Sequence, residues 1–236
     1  PEDEFWAKYF QRFEPVNVSP LPLGIVVTAT GTGSEGNGGG VITNEKTKVK
    51  TGADRPATNA RFAIIDPTLT YTVPQGQKIS GGYDSLNHMM EEYFSLPVGD
   101  VLADDLLEAA MGSVVRNLPR AVANPEDYQA HANLAWASAL AENRVLKSGK
   151  QTCFQLHMIE HQVGAFTDCV HGLGLAAIAC TYYRHIYDAS VAALFQFGRF
   201  SRLPAPQGET RWQVSDGDTA AAGMFCRLSH AAPGVD

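Results

Sequence analysis

From about Ser80 onward, apolar side chains recur at three- and four-residue intervals. That period predicts successive helices over 83–94, 100–117, 128–146, 154–166 and 172–187, separated by Pro and Gly. The first part of the chain is patterned differently. Phe5, Trp6, Tyr9, Phe10 and Phe13 fall near helical spacing and predict a short amphipathic helix within residues 1–20, stopped by Pro15 and Pro20 and packed on preceding structure. A continuous apolar run at 25–27, a loop rich in Thr, Gly and Ser, and an apolar stretch at 41–43 predict a strand, a glycine loop and a second strand. Residues 61–66 predict another short buried strand, ended by the Asp66-Pro67 turn signal. The change from strands to helices near residue 67 predicts two units, 1–66 and 67–236. The stripe Phe195, Phe197 and Phe200 reads as core packing and residues 204–218 as a polar surface connection.

Composition narrows the partners. With 236 residues and 44% hydrophobic content, the chain can bury a sizeable core. A formal charge of -7 and the lack of Lys/Arg clusters argue against a nucleic-acid partner. No apolar run is long enough to span a bilayer. Cys153, Cys169, Cys180 and Cys226 show no CxxC spacing, which predicts reduced, mostly buried thiols in a cytoplasmic protein.

The candidate chemistry lies in three segments, GGYDSLNHMMEEYF, FQLHMIEHQVGAF and DCVHGLGLAAI. Asp84 and His88 stand four residues apart, as do His157 and His161, so each pair shares one helix face. With His171 they make five candidates, one more than a tetrahedral site takes. In the glycine loop, the hydroxyls of Thr28, Thr32 and Ser34 can donate to phosphate or ribose oxygens, although the loop is neither a Walker motif nor a GxGxxG that opens a helix. By itself it reads more readily as a hairpin with glycine-enforced turns. His131, His185 and His230 read as ordinary hydrogen-bonded histidines, Glu35 and Asp66 as turn or cap residues. Glu91, one turn after His88, either orients that imidazole or faces solvent. Cys153 and Cys169 are out of ligand register and read as buried thiols.

Four ordered motifs, TATGTGSEGNGGGVITNEKTKVK, AIIDPTL, GGYDSLNHMMEEY and HMIEHQVGAFTDCVHGLGLA, resemble the iron-containing (group III) alcohol dehydrogenases, particularly their butanol-dehydrogenase-like branch. The resemblance implies an α/β plus all-α architecture of the dehydroquinate synthase-like type: a nucleotide-binding α/β domain followed by a helical metal-binding domain. It implies metal ligation by Asp84, His88, His157 and His171, and it places His161 near the reacting carbon. It also implies cofactor contacts at Thr28, Asn37, Lys50 and Leu69, with Thr32, Gly33 and Ser34 lining the loop beside the pyrophosphate or nicotinamide. The family's Gly-Gly-Gly-Ser turn is expected upstream of Pro1, and its closing helices look cut short after about residue 200, so an internal fragment is expected. Gln162 and Val170 stand where the family commonly has Pro, and Ser85 where it commonly has Ala; none of these removes a ligand atom.

The implied function is metal-dependent, NAD(P)-linked interconversion of primary alcohols and aldehydes by hydride transfer. Divalent iron is the expected metal, zinc the substitute, and NAD or NADP the hydride carrier. His161 is expected to shuttle a proton, titrating near working pH. The expected partners are a small alcohol or aldehyde and further copies of the chain, in a homodimer or larger assembly; nucleic acid and membrane are not expected. Two alternatives share the ligand set: a metal-dependent hydrolase or lyase that activates water, and a non-catalytic metal-binding fragment with half a cleft.

Overall fold

Helix α2 (Gln75–Tyr93) is the axis of the molecule, and its composition shows why. Tyr83, Leu86, Met89, Met90 and Tyr93 are buried, but so are Lys78, Asp84, His88, Glu91 and Glu92. A helix covered on every side must satisfy its polar groups within the protein. Three helices supply the cover: α3 (Leu102–Ala123), α4 (Tyr128–Glu142) and α6 (His171–His185) pack on α2, while α5 (Gln155–Thr167) packs on α6. Leu107, Met111, Leu134, Leu156 and Leu175 close the core. The approach of α3 depends on Gly82, where a Cβ would lie 2.7 Å from Leu118 methyls. The computed structural model describes residues 2–96 and 102–186.

Ahead of the helices, α1 (Glu2–Trp6) and a π-helical turn (Ala7–Gln11) precede β1 (Gly24–Val26), β2 (Gly39–Asn44), β3 (Val49–Asp54) and β4 (Phe62–Ile64). Parallel β1 and β4 pair Gly24 with Phe62 and Val26 with Ile64, while antiparallel β2 and β3 form a hairpin pairing Gly39 with Asp54 and Asn44 with Val49. The glycine loop lies between β1 and β2, which do not pair with each other.

Several expectations need correction. The amphipathic N-terminal segment packs forward, with the Arg55 guanidinium over the Tyr9 and Phe10 rings and donating to the Tyr9 carbonyl. Strand β3 has no continuous apolar run and is visible only once β2 supplies its hydrogen bonds. The strand at 61–66 is exposed, not buried: Phe62 is 61% and Ile64 50% accessible. Its run is of the kind a parallel sheet covered on both faces carries, and the described residues do not supply that cover. Cys153 is exposed too, because its backbone N–H is held by Ser95 Oγ in the turn before α5.

Two expectations hold. His131 is a buried structural histidine, its Nδ1 2.6 Å from Thr70 Oγ1 and its Nε2 3.4 Å from Lys78 Nζ. Asp66 caps the turn Pro67–Thr70 through the Thr68 N–H at 2.9 Å. Among the described residues, no helix is long and apolar enough to cross a membrane. Phe195, Phe197, Phe200, residues 204–218, Cys226 and His230 lie outside the described residues.

Candidate metal centre

Three helices bring the candidate ligands together. Asp84 and His88 lie one turn apart on α2, His157 lies in the first turn of α5, and His171 is the first residue of α6. Asp84 Oδ1 is the focus: His157 Nε2 and His171 Nε2 lie 3.5 Å from it, and His88 Nε2 lies 3.7 Å away. Asp84, His157 and His171 form the tightest group, and His88 joins it through Asp84. Asp84 Oδ1 and His157 Nε2 are buried without a hydrogen-bond partner.

Tetrahedral ligation with bonds of about 2.0–2.2 Å separates neighbouring donor atoms by roughly 3.3–3.6 Å. The carboxylate-to-imidazole separations of 3.5 Å, 3.5 Å and 3.7 Å are close to that spacing, and Asp84, His157 and His171 present their donor atoms within 4.8 Å of one another, so this donor set suits a divalent ion, with His88 at its edge. Two buried polar atoms without partners, facing each other in a shell of nitrogen and oxygen donors, are what a cation would satisfy.

The surrounding carboxylates fix the imidazoles. Glu91 accepts from His157 Nδ1, so Nε2, the nitrogen facing Asp84, is the one that could offer a lone pair to a metal. Glu91 also accepts the backbone N–H groups of Leu156 at 2.7 Å and His157 at 3.2 Å, so a carboxylate on α2 caps the first turn of α5. Glu160 accepts from His171 Nδ1 in the same manner. Glu91 therefore orients His157, one helix away, and not its neighbour His88. Glu160 was not singled out from the sequence, although HMIEHQ places it beside His161.

Charge follows the same pattern. Burial raises the Asp84 pKa, but the imidazoles of His88, His157 and His171 outweigh it and hold the carboxyl well below the usual range. Burial lowers His88 to about 3, against the pull of Asp84. Burial also opposes the charging of His157, yet its contacts with Asp84 and Glu91 take it to about 9. His161 is lowered to about 4, first by burial and then by the charges of His171 and Lys50. It is therefore neutral at working pH rather than titrating there. His161 is 6% exposed and its Nδ1 has no partner. Its ligand atom lies within 4.8 Å of those of Glu160 and His171, but the Lys50 ammonium on Glu160 already supplies a cation there.

Glu142, at the end of α4, was also missed. Its Oε1 lies 3.8 Å from His88 Nε2, while Oε2 accepts from Lys147 Nζ at 2.7 Å.

The glycine loop sits directly on this centre. At Gly31, φ is +152° and a Cβ would lie 3.4 Å from Asp84 Oδ2. Gly31 N–H donates to Ser138 Oγ at 2.8 Å, and Ser85 Oγ donates to the Gly31 carbonyl at 3.2 Å. Gly33 has φ +55°, and a Cβ there would meet the Ser138 carbonyl at 2.6 Å. A Cβ at Gly81 of α2 would lie 1.9 Å from the Thr30 carbonyl. Thr28, Thr32 and Ser34 are exposed along the loop, and Leu69 is 41% exposed. Asn37 instead turns inward, donating to the carbonyls of Thr32 and Gly33 and accepting from Gly39 N–H. Lys50 reaches Glu160 Oε2 at 3.4 Å.

Known proteins resemble this chain over most of its length. Residues 78–216 match the model of the Fe-containing alcohol dehydrogenase family, C-terminal, and residues 2–67 match that of iron-containing alcohol dehydrogenase. The chain is 39% identical over 148 residues to NADH-dependent butanol dehydrogenase B of Clostridium acetobutylicum, covering 63% of this chain and 38% of that one. It is 30% identical over 179 residues to the NADPH-dependent aldehyde reductase YqhD of Escherichia coli, covering 76% of this chain and 44% of that one. It thus spans less than half the length of these curated relatives. The crystal structure of NADH-dependent butanol dehydrogenase A from Thermotoga maritima superimposes with a TM-score of 0.86 at 28% identity, covering 99% of this chain and 56% of that one.

Proposed function

The chain belongs to the iron-containing alcohol dehydrogenase family, and on that premise we propose that it carries the metal centre and part of the cofactor cleft of an NAD(P)-linked oxidoreductase acting on primary alcohols and aldehydes. The observation that carries the reading is the buried, partnerless Asp84 Oδ1, ringed by three imidazole Nε2 atoms beneath a glycine loop. Asp84, His88, His157 and His171 would hold a divalent ion, iron or zinc, which when bound polarises the substrate oxygen.

The chain's own residues do the rest. Glu91 and Glu160 keep Nδ1–H on His157 and His171, so that both Nε2 atoms would be the ones to bind an ion. Gly31 and Gly33 let the loop backbone lie on Asp84 and α4, where it would offer a surface to a nicotinamide cofactor. The exposed hydroxyls of Thr28, Thr32 and Ser34 can donate to phosphate or ribose oxygens, that of Thr32 while accepting Ser34 N–H, and Leu69 offers an apolar contact. Asn37 shapes the loop from within. His161, buried beside His171, would pass on the proton that an alcohol loses and, in reverse, deliver one to the oxygen of the reduced aldehyde, holding it only in transit because burial keeps the ring neutral.

Residues 1–66 form the cofactor-binding portion in this reading and 67–236 the metal-binding portion, a division supported by the separate family matches at 2–67 and 78–216. The protein works in the cytoplasm on a small alcohol or aldehyde, as a homodimer or larger assembly. The glycine loop set against the ligands favours this over a hydrolase, which needs no dinucleotide cradle.

The test is metal analysis of anaerobically purified protein, then NADH and NADPH oxidation with butyraldehyde. Retained iron or zinc with cofactor oxidation supports the proposal; failure to bind Fe2+, Zn2+ or Co2+ overturns it, and bound metal without oxidation favours a non-catalytic metal-binding chain. His161→Ala is expected to keep its metal and lose turnover, and loss of the metal would make His161 a ligand.

A further inference from the structure

Lys50 sits on β3, yet both ends of the residue are fastened to α5. Its carbonyl accepts from Gln162 Nε2 at 3.0 Å, and its ammonium lies 3.4 Å from Glu160 Oε2. The Glu160 side chain is fully buried and that of Lys50 is 17% exposed. Glu160 Oε2 is also the acceptor of His171 Nδ1, while Cys169 Sγ lies 3.8 Å from Oε1. One carboxylate therefore stands between a cation on the strand and an imidazole that faces Asp84 with its other nitrogen.

Two glycines make the space for this meeting. A Cβ at Gly164 on α5 would lie 3.1 Å from both Lys50 Nζ and Glu160 Oε1. A Cβ at Gly174 on α6 would lie 2.8 Å from Glu160 Oε1 and 2.9 Å from Cys169 Sγ. Side chains at either place would displace the carboxylate or the ammonium.

We propose that Lys50 is a positioning residue for the metal centre, acting through Glu160 on His171, in addition to any contact it makes with a dinucleotide. A buried carboxylate with a cationic partner stays where that partner holds it, and a charge-assisted bond to His171 Nδ1 fixes the ring's orientation. Without Lys50, Glu160 becomes a buried anion lacking its counter-ion, and the restraint on His171 weakens. The strand that reaches toward the cofactor loop and the imidazole that faces the metal are then one linked unit. The inference rests on the assignment of His171 as a ligand.

Co2+ titration of the full 236-residue chain, followed by its visible absorption, tests this without turnover. Loss of an outer partner of a metal imidazole typically weakens affinity by about 10–100-fold. Lys50→Met and Glu160→Gln are each expected to fall in that range with a shifted Co2+ spectrum, and the double variant is expected to be no weaker than Glu160→Gln alone. Gly174→Ala should shift the spectrum in the same direction with Lys50 intact. Should Lys50→Met fail to fold by circular dichroism, Lys50→Gln and Gly174→Ala carry the same comparison. Wild-type affinity and spectrum in the Lys50 variant, or losses that simply add in the double variant, overturn the inference. Absence of Co2+ binding by the wild type overturns instead the metal-centre reading on which it rests.

Discussion

Replacing Glu91 with alanine tests the link between the fold and the proposed metal site most directly. This one buried carboxylate accepts Leu156 N–H at 2.7 Å, His157 N–H at 3.2 Å, Asn87 Nδ2 at 3.3 Å and the ring N–H of His157. Removing it takes the cap from α5, a loss of about 0.5–2 kcal/mol. It also strands the imidazole N–H in a buried place, at about 1–3 kcal/mol. Together these give a destabilisation of about 2–5 kcal/mol, or roughly 4–20 °C in the Tm of a chain this long. Metal affinity is expected to fall about 10–100-fold because the His157 ring loses its orientation. Glu91→Gln is the informative comparison: its amide oxygen can still cap one backbone N–H, but its NH2 cannot accept from His157, so stability should recover further than affinity. Thermal denaturation of the metal-free protein and a Co2+ titration measure the two effects separately. A folded Glu91→Ala protein with wild-type affinity would refute the claim that the carboxylate orients the ligand.

Other outcomes can be checked on the same preparations. Burial raises the Glu92 pKa from 4.5 to about 9, against the pull of Lys147, so between those values the folded protein keeps a proton that the unfolded chain releases, and stability falls as pH rises. Glu92→Gln should accordingly gain stability relative to wild type between about pH 5 and about pH 8 in urea unfolding, and an equal difference at both pH values would show instead an ionised Glu92 paired with Lys147. Gly81→Ala should cost about 1–3 kcal/mol or more, because its Cβ would lie 1.9 Å from the Thr30 carbonyl, and amide exchange should report a loosened glycine loop. His131→Leu, which breaks the contact with Thr70, should lower Tm by removing about 1–3 kcal/mol while leaving metal stoichiometry unchanged. A chelator should lower Tm with the logarithm of the free-ion concentration, since a ligand present at about 1,000 times its Kd stabilises by about 4 kcal/mol, and an unchanged melting curve would show that the ion is not part of the folded state.

Much of the centre was legible because helical periodicity is a local property. The repeats from Asp84 to His88 and from His157 to His161 lie on the helices the apolar pattern predicts; the pattern located α5 and α6 closely but began α2 at residue 83, whereas the helix starts at Gln75. Their partners were not legible. Glu91 acts on His157 across an interhelical contact, and Glu160 acts on His171 from a different helix, so sequence neighbourhood suggested the wrong imidazole for one and none for the other. Lys50 lies on a strand without an apolar signature, and only the register with β2 and the packing on α5 place its ammonium at Glu160. The titration of His161 was misjudged for a related reason: burial and neighbouring charge are tertiary properties that spacing does not encode.

The glycine loop has a consequence for the order in which the protein assembles. Its anchors are remote in the chain: Gly31 is fastened to Ser138, 107 residues away, and to Ser85, 54 residues away. Contacts that close loops of such length form only after the ordering cost of the intervening chain has been met by other contacts. The helices α2 and α4 must therefore dock before the loop can take its shape, and the glycine loop becomes native after them. In a refolding experiment with pulsed hydrogen exchange, the Gly31 amide should gain protection after those of α2 and α4, making the arrival of the cleft a kinetic event distinct from the collapse of the helices.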